Sequence, residues 1–583
     1  MLTNTAIAKI LFRTGEILEI LGEVYNAFPY YRIADIIENM EDSIVCIYRS
    51  GKLSELPGVS FEIAQDIEEI IQTGTLKKYN ELLSDIPKGL CEMMDIPGMD
   101  ARKVAIIWQY LGISSVDELE RSAKKYELQK VSGFDAKLEI DILRSINLFR
   151  AEKRCDKILL GKALPIARNI ISELSKLNEV KRVELSGSIR RGKCVVSDID
   201  LLVETEMMPF VIKEFLHIFP PLKIIEHKED RIVVICKEGI KIELSSVSSY
   251  NFDAVLHFTT GSKHYISNLN KYAANEELVV KDDGVYKIGT DKKFLCETEQ
   301  EIYDTLKLQY IPPELREDNV EVIKKAKRYE IPSLVNLSDL KGDLHVHTTW
   351  SDGTVSVEEL VQWARNKGYE YIGICDHFRP SRSTTRKGIT IDNVTNLIEH
   401  VRYMRNKFYD INILVGLEVE IRKGGSLGIN DELLSMFDFV IGGVHSGFDA
   451  GVEAVTDRLI AGCRHPLIDI IAHPASRMIG RRDCFVNIDK LLEAAAETDT
   501  VLEINSYIVR LDLPDIYVYQ AKQNGIKFVV NTDAHTMEEL NMIEYGVLTA
   551  RRGWLESDDV INTLPYEKLK YVLKRNKYKG LSV

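Results

Sequence analysis

Between residues 343 and 535 the chain carries a series of short histidine- and carboxylate-bearing motifs that can act together only if the fold gathers them at one place. The series opens with Asp343-Leu344-His345-Val346-His347-Thr348-Thr349-Trp350-Ser351-Asp352-Gly353. It continues through Asp376-His377, Gly416-Leu417-Glu418-Val419-Glu420, Val444-His445-Ser446, Ala472-His473-Pro474 and Asp533-Ala534-His535. Six of the chain's 12 histidines fall in these motifs. Imidazoles and carboxylates without a thiolate suit Zn²⁺, Mn²⁺ or Fe²⁺ in a hydrolytic centre rather than a structural zinc. Such ions bring the pKa of water towards neutrality and neutralise a phosphoryl oxygen. The motifs are spaced among alternating short apolar strands and helices, such as Tyr371-Ile372-Gly373-Ile374-Cys375, Phe439-Val440-Ile441-Gly442 and Phe528-Val529-Val530. Ligands at successive strand ends predict the C-terminal mouth of an α/β barrel.

At 583 residues the chain has room for several cores, and 45% hydrophobic with 28% charged residues is ordinary for a globular protein. No apolar run approaches the roughly 20 residues of a membrane span, and the N-terminus has no signal-peptide pattern. Nine scattered cysteines without a C-x-x-C pair predict a reducing, cytoplasmic setting. A formal charge of −14 argues against broad nonspecific nucleic-acid binding, though a local basic groove is compatible with it.

The first 150 residues read as short amphipathic helices. Leu56-Pro57-Gly58-Val59-Ser60, Ile96-Pro97-Gly98-Met99-Asp100 and Val131-Ser132-Gly133-Phe134-Asp135 repeat one theme, each before a helical pattern. This predicts helix-hairpin-helix turns whose Gly58, Gly98 and Gly133 present backbone N–H groups to a nucleic-acid phosphate. From about residue 155 the pattern becomes α/β, with strands expected at 183–186, 199–203, 231–235 and 240–244. Gly187-Ser188-Ile189-Arg190-Arg191 precedes Ser197-Asp198-Ile199-Asp200. The Gly-Ser turn can reach a polyphosphate, with Arg191 to neutralise it. Asp198 and Asp200, two apart on a strand, point the same way and can share two Mg²⁺ ions, and Glu243 is the candidate third carboxylate. Together these form a nucleotidyltransferase signature.

Taken together, the motifs resemble the bacterial and archaeal family X DNA polymerases with a C-terminal polymerase and histidinol phosphatase (PHP) domain. Thr260-Gly261-Ser262-Lys263 and Ile311-Pro312-Pro313-Glu314-Leu315-Arg316-Glu317 extend the resemblance over nearly the whole chain. It implies a multidomain fold, with a helix-hairpin-helix domain over 1–85, fingers with further hairpins over 86–150 and an α/β palm over 151–260. A thumb over 261–318, a linker over 319–341 and a PHP domain, a distorted β/α barrel, over 342–583 complete it. The resemblance implies three divalent metals (Mn²⁺, Zn²⁺ or Fe²⁺) held by His345, His347, Asp352, His377, Glu418, His445, His473, Asp533 and His535, with Glu418 as the bridge. Arg477 and Arg481 would hold substrate phosphate. At the palm, Mg²⁺ or Mn²⁺ would sit on Asp198, Asp200 and Glu243, with Gly187, Ser188 and Arg191 binding nucleotide. The implied partners are gapped or nicked DNA and dNTPs, with no membrane, and the protein is expected to act as a monomer in the cytoplasm.

The polymerase half departs from the family pattern in one direction. The second glycine of each hairpin is replaced by Ser60, Asp100 or Asp135, and residues 1–150 carry 17 Lys+Arg against 24 Asp+Glu, a charge of −7. A side chain at such a glycine position predicts backbone strain, and an aspartate there repels phosphate. Glu62 and Asp66 stand where related lyase domains present lysines, Glu243 is one methylene longer than the usual aspartate, and Asn268 and Asn270 replace arginines. The leading expectation is a bifunctional DNA repair enzyme, with weakened gap filling at the palm and a metal-dependent 3′–5′ exonuclease or 3′-end phosphoesterase in the PHP domain. Two alternatives are a PHP phosphoesterase with a catalytically degenerate polymerase half, and a small-molecule phosphatase like the histidinol phosphatases.

Overall fold

The computed structural model describes residues 4–578 apart from 41–42, 54–55, 57, 97, 132, 155–157, 291, 380–387 and 483. Pro57, Pro97 and Ser132 of the hairpin turns therefore lie outside the described residues. Contacts divide the chain into two units, Met1–Arg150 and Ala151–Val583. Among the described residues no helix is long and apolar enough to cross a membrane.

The first unit is helical. Asn4–Ile20 and Val24–Asn39 pack with Phe61–Thr73 around Leu11, Ile33, Ile37, Ile63 and Ile67. Ile63, Ile67 and Ile70 are the buried face of Phe61–Thr73, as 3.6-residue spacing requires. A second core, around Leu90, Val104, Ile107, Leu119 and Ile146, holds the later helices. Gly58, Gly98 and Gly133 all have left-handed φ, of +84°, +84° and +93°. The strain expected at the next turn position is absent. Ser60 and Asp100 are extended, with φ of −75° and −113°. Their side chains, and that of Asp135, accept from the backbone N–H of Ile63, Lys103 and Leu138 (3.3, 2.8 and 2.7 Å). They are N-caps, so a side chain is an asset at these positions.

In the second unit the palm is a mixed five-stranded sheet: β1 (Arg182–Leu185), β2 (Ile199–Glu204), β3 (Lys223–His227), β4 (Arg231–Ile235) and β5 (Lys241–Val247), ordered β1-β2-β5-β4-β3. β2 and β5 run parallel with Asp200 opposite Glu243. Helices Phe252–Thr260 and Lys263–Ala274 and a three-stranded sheet follow, over a core of Tyr265, Leu269, Val285 and Tyr303. The stretch expected as a polar linker carries helix Val320–Arg328 instead, and its Val322, Ile323 and Ala326 join that same core. Its strong two-faced pattern hides these apolar residues among lysines.

The remainder is a ring of seven parallel strands in sequence order: β6 (Gly342–Val346), β7 (Tyr371–His377), β8 (Asn412–Glu420), β9 (Phe439–Gly443), β10 (Ile470–Ile471), β11 (Val501–Asn505) and β12 (Phe528–Asn531). β6 meets the far end through a Val346–Ala534 bridge, with Asp533 N–H donating to the His345 carbonyl (2.9 Å). This is the distorted barrel implied by the sequence. Inside it the Phe439 ring fills the space left by a missing side chain: a Cβ on Gly416 would stand 2.3 Å from it. At the base, Arg575 and Asp469 are 1% and 0% exposed and pair at 2.7 Å. Arg575 also donates to the Phe437 and Leu467 carbonyls (2.6 Å each). Removing one member of such a pair leaves a buried charge uncompensated. Arg575→Ala is therefore expected to destabilise the barrel by about 3–5 kcal/mol, read by urea-induced unfolding.

Candidate metal centres and nucleotide cleft

Every expected barrel ligand borne by or following a strand stands at a C-terminal end. His345 is next to last in β6, and His377 ends β7. Glu418 lies near the end of β8, and His445, His473 and Asp533 each follow their strand by two residues. His473 and Asp533 have left-handed φ, +31° and +56°, an unfavourable backbone for residues with a Cβ that turns both side chains into the mouth.

Glu418, 1% exposed, lies at the centre of the ligand ring. Its Oε2 is 3.5 Å from His345 Nε2, 3.5 Å from His347 Nε2 and 2.7 Å from His377 Nδ1. Its Oε1 is 2.8 Å from His445 Nε2 and 3.6 Å from His473 Nε2. Asp533 Oδ1 lies 3.5 and 3.1 Å from the same two nitrogens of His345 and His347. Asp352 Oδ1 is 3.8 and 3.4 Å from Nε2 of His377 and His535. Two ligands on one tetrahedral ion, each about 2.1 Å from it, are about 3.4 Å apart. The spacings of 3.1–3.8 Å are thus near those of coordination edges, whereas His377 and His445 approach Glu418 more closely, at 2.7 and 2.8 Å. Among the described residues, His345 Nε2, His347 Nδ1, Asp352 Oδ1, both Glu418 oxygens and His473 Nδ1 are buried without a hydrogen-bond partner. Six orphaned polar atoms would be costly in a structure held together by protein contacts alone. The residues fit divalent ions, and three such ligand groups can be drawn among them.

The electrostatics follow from this crowding. Burial alone would lower His445, but Glu418 and Glu420 push it up to about 10. Burial wins at His377, which falls to about 4 despite Glu418 and Asp352. Burial, then the positive charge of Arg510, lowers His473.

Several contributors escaped the sequence reading. Glu503, fully buried on β11, receives the His345 Nδ1 proton at 2.7 Å and accepts from His473 N and Asn531 Nδ2. Glu420 accepts from His445 Nδ1 at 2.6 Å and is backed by Ser446 and Arg458. Both fix a ligand's tautomer and orientation. Signals existed: Glu420 shares a strand face with Glu418, and Glu503 is a charge inside the apolar run Val501–Asn505. Asp376, which precedes His377, ties the loop after His347 by accepting from Thr348 N (2.8 Å) and Ser351 Oγ (2.5 Å). Arg477 does not turn to the cluster; its guanidinium donates to the Leu511 carbonyl (3.1 Å) and contacts Cys194 Sγ (3.4 Å). Arg481 follows in the same loop, its N–H on the Met478 carbonyl. Arg510, which nothing in the sequence singled out, is close enough to act on His473.

At the palm, Ser188, Arg191, Asp198, Asp200 and Glu243 line one cleft of ≈ 1150 Å³. A Cβ on Gly187 (φ +59°) would stand 2.1 Å from Asp200 Oδ2, so only glycine permits this approach. The Ser188 hydroxyl is buried without a partner. Asp198 pairs with Lys241 (3.1 Å) and Glu243 with Arg231 (2.8 Å). Arg191 is held by Glu317 (3.0 Å) and the Thr260 carbonyl (2.5 Å). Asn270 exchanges two hydrogen bonds with the Val280 backbone, and Asn268 donates to Asp318. In the first unit, an ammonium does stand near Asp66: Lys78 Nζ donates to Tyr30 OH (2.8 Å), which donates to Asp66 (2.5 Å).

The profile described as DNA polymerase beta thumb matches residues 254–317, and that described as PHP domain matches residues 343–507. The DNA polymerase/3′-5′ exonuclease PolX of Bacillus subtilis (strain 168) is 30% identical over 98% of this chain and 99% of its own. A probable phosphatase of Thermoanaerobacter sp. (strain X514) is 27% identical over 41% of this chain and 96% of its own. The DNA polymerase lambda of Rattus norvegicus is 20% identical over 52% of this chain and 55% of its own.

Glu503→Gln, which removes the partner of His345, is expected to weaken metal binding about 10- to 100-fold, measured by metal titration. Burial, with Asp198 and Glu243 close by, pushes Asp200 up to about 6. A raised carboxyl is mostly ionised only above that value, so protons would compete with a divalent cation below it. The divalent cation needed for half-maximal nucleotide insertion is expected to rise up to about tenfold per unit below pH 6 and to level off above it.

Proposed function

The chain belongs to the family X DNA polymerases that carry a PHP domain, and on that premise we propose that it works on DNA ends at two separate sites. It is an enzyme of the polymerase/3′–5′ exonuclease type, with nucleotidyl transfer at the palm and phosphoester hydrolysis in the barrel. Gapped DNA and dNTPs are the substrates we assign to it. Both activities depend on divalent metal, and we assign Mn²⁺ to the barrel and Mg²⁺ to the palm.

The observation that carries the hydrolytic half is the two-sided presentation of Glu418, with His345, His347 and His377 on one oxygen and His445 and His473 on the other. Asp352, Asp533 and His535 complete the nine residues that would hold three ions. Bound there, divalent metals supply Lewis-acid polarisation of a phosphoryl oxygen and a nucleophile at neutral pH. The chain's own part is to fix the ligands through Glu420 and Glu503 and to neutralise the charge that builds on phosphorus. Arg510, whose positive charge acts on His473, is our candidate for the latter, together with Arg481 of the neighbouring loop, while the Arg477 guanidinium is engaged by the Leu511 carbonyl. At the palm, Asp198, Asp200 and Glu243 would carry the ions, and Gly187, Ser188 and Arg191 the triphosphate. The amides at Gly58, Gly98 and Gly133 would meet the DNA backbone.

A degenerate polymerase half has one observation in its favour. Lys241 and Arg231 already neutralise Asp198 and Glu243, and Arg191 is engaged by Glu317. Against it, the Gly187–Asp200 approach is kept at full tightness, which a lapsed site has no need of.

On one gapped duplex, His345→Ala is expected to abolish resection of the 3′ end in Mn²⁺ while nucleotide insertion in Mg²⁺ persists. Asp198→Ala is expected to do the reverse. Wild-type resection by His345→Ala would refute the barrel assignment, and loss of both activities in either variant would refute their separation.

A further inference from the structure

The nucleotide cleft of the palm is not built by the palm alone. Glu317 Oε1 accepts from Arg191 Nε at 3.0 Å and, at the same distance, from Arg552 Nη1. Arg552 is the last residue of the barrel helix Ile543–Arg552. The same Nη1 donates to the backbone carbonyl of Arg191 at 2.8 Å. Arg552 thus touches Arg191 twice, once through a shared carboxylate and once through its main chain.

Within the barrel Arg552 already has a full partner. Its Nε and Nη2 both lie on Asp515 Oδ2, at 2.7 and 2.6 Å. Asp515 thus neutralises the guanidinium within the barrel, while the remaining Nη1 donors find their partners, Glu317 and the Arg191 carbonyl, on the palm side. These contacts fall where charge matters for the cleft, because Arg191 and Arg552 are 9% and 10% exposed at the side chain, where solvent screens weakly. Lys193 Nζ, 3.5 Å from Glu317 Oε2, is the remaining cation of the group. Burial would raise Glu317, but Arg552, Arg191 and Lys193 hold it below the usual carboxylate range, so it is an anion.

We propose that Arg552 is a positioning residue of the polymerase site: it shares Glu317 with Arg191, so that Glu317 stays paired when Arg191 turns its charge to an incoming nucleoside triphosphate. This rests on the palm reading above. Without Arg552, Glu317 has only Arg191 and Lys193 to lean on. It then competes with the triphosphate for Arg191 and sets an uncompensated negative charge beside it.

The test uses the full chain. Single-turnover insertion of dCTP into a duplex with a single-nucleotide gap separates nucleotide affinity from the chemical rate. Arg552→Ala is expected to raise the apparent Kd for dCTP about fivefold or more, leaving the insertion rate within about twofold. Its 3′ resection in Mn²⁺ should be unchanged. Arg552→Lys, which keeps the charge but has one ammonium for several partners, should fall in between. In a Glu317→Gln background, Arg552→Ala should have no further effect. An unchanged Kd, an equal loss of insertion and resection, or the same loss on top of Glu317→Gln would each overturn the proposal. If the wild-type chain inserts no dCTP, the palm reading fails at the chemical step, and calorimetric titration of dCTP then compares wild type with Arg552→Ala directly. Equal binding overturns the role of Arg552; no binding by wild type overturns both.

Discussion

A carboxylate with almost no exposed surface, Glu418, is the constraint around which the barrel's mouth is organised. An ionised carboxylate in such a place is costly unless every oxygen faces positive charge. Five imidazoles from four other strands or their ends surround it, but burial drives His377 and His473 towards the neutral form, and Asp352 and Asp533 add further negative charge beside them. Protein atoms cannot satisfy the group by themselves, as the buried unpartnered nitrogens and oxygens record. Much else answers to this: the left-handed backbone at His473 and Asp533, and the buried carboxylates Glu420 and Glu503 behind the ring. The parallel strands bring His345, His377, Glu418, His445, His473 and Asp533 to their C-terminal ends.

The clustering of the candidate ligands was legible in the sequence because most of them lie in short, self-contained motifs at or just after strand ends. Three of the strands around them, at 371–375, 439–442 and 528–530, were legible for a related reason, as short apolar runs between helical patterns. What escaped depends on contacts between distant parts of the chain. Glu503 reaches His345 across 158 positions, and Arg552 reaches Arg191 across 361. Arg477 has the right residue type in the right loop, yet its guanidinium turns towards Cys194 on the palm. A residue's type states what chemistry it offers, whereas its direction is set by neighbours that only the fold supplies.

Local rules also misled where a residue has two uses. Ser60, Asp100 and Asp135 were read as damaged glycines but serve as helix caps, which costs no strain. Their negative character remains, and with a charge of −7 over residues 1–150 it still makes the first unit a weak electrostatic partner for DNA. Asn270, read as a lost arginine, stitches a thumb helix to the backbone of Val280. The helix within 319–341 is hard to see in the sequence because, rich in lysine, it keeps only a narrow apolar stripe.

The seam of the barrel has a consequence of its own. First and last strands meet through one bridge and few hydrogen bonds, whereas every other neighbour is joined by a strand ladder. The ligands His345 and His347 lie on one side of that seam, Asp533 and His535 on the other, and His347 and Asp533 are 186 residues apart in the chain. An ion shared across it would act as a clasp on a very long loop, removing chain entropy from the open state. Catalytic metal would then double as the fastener of the ring, so that the same ions that equip the enzyme to cut DNA also hold its cutting domain shut.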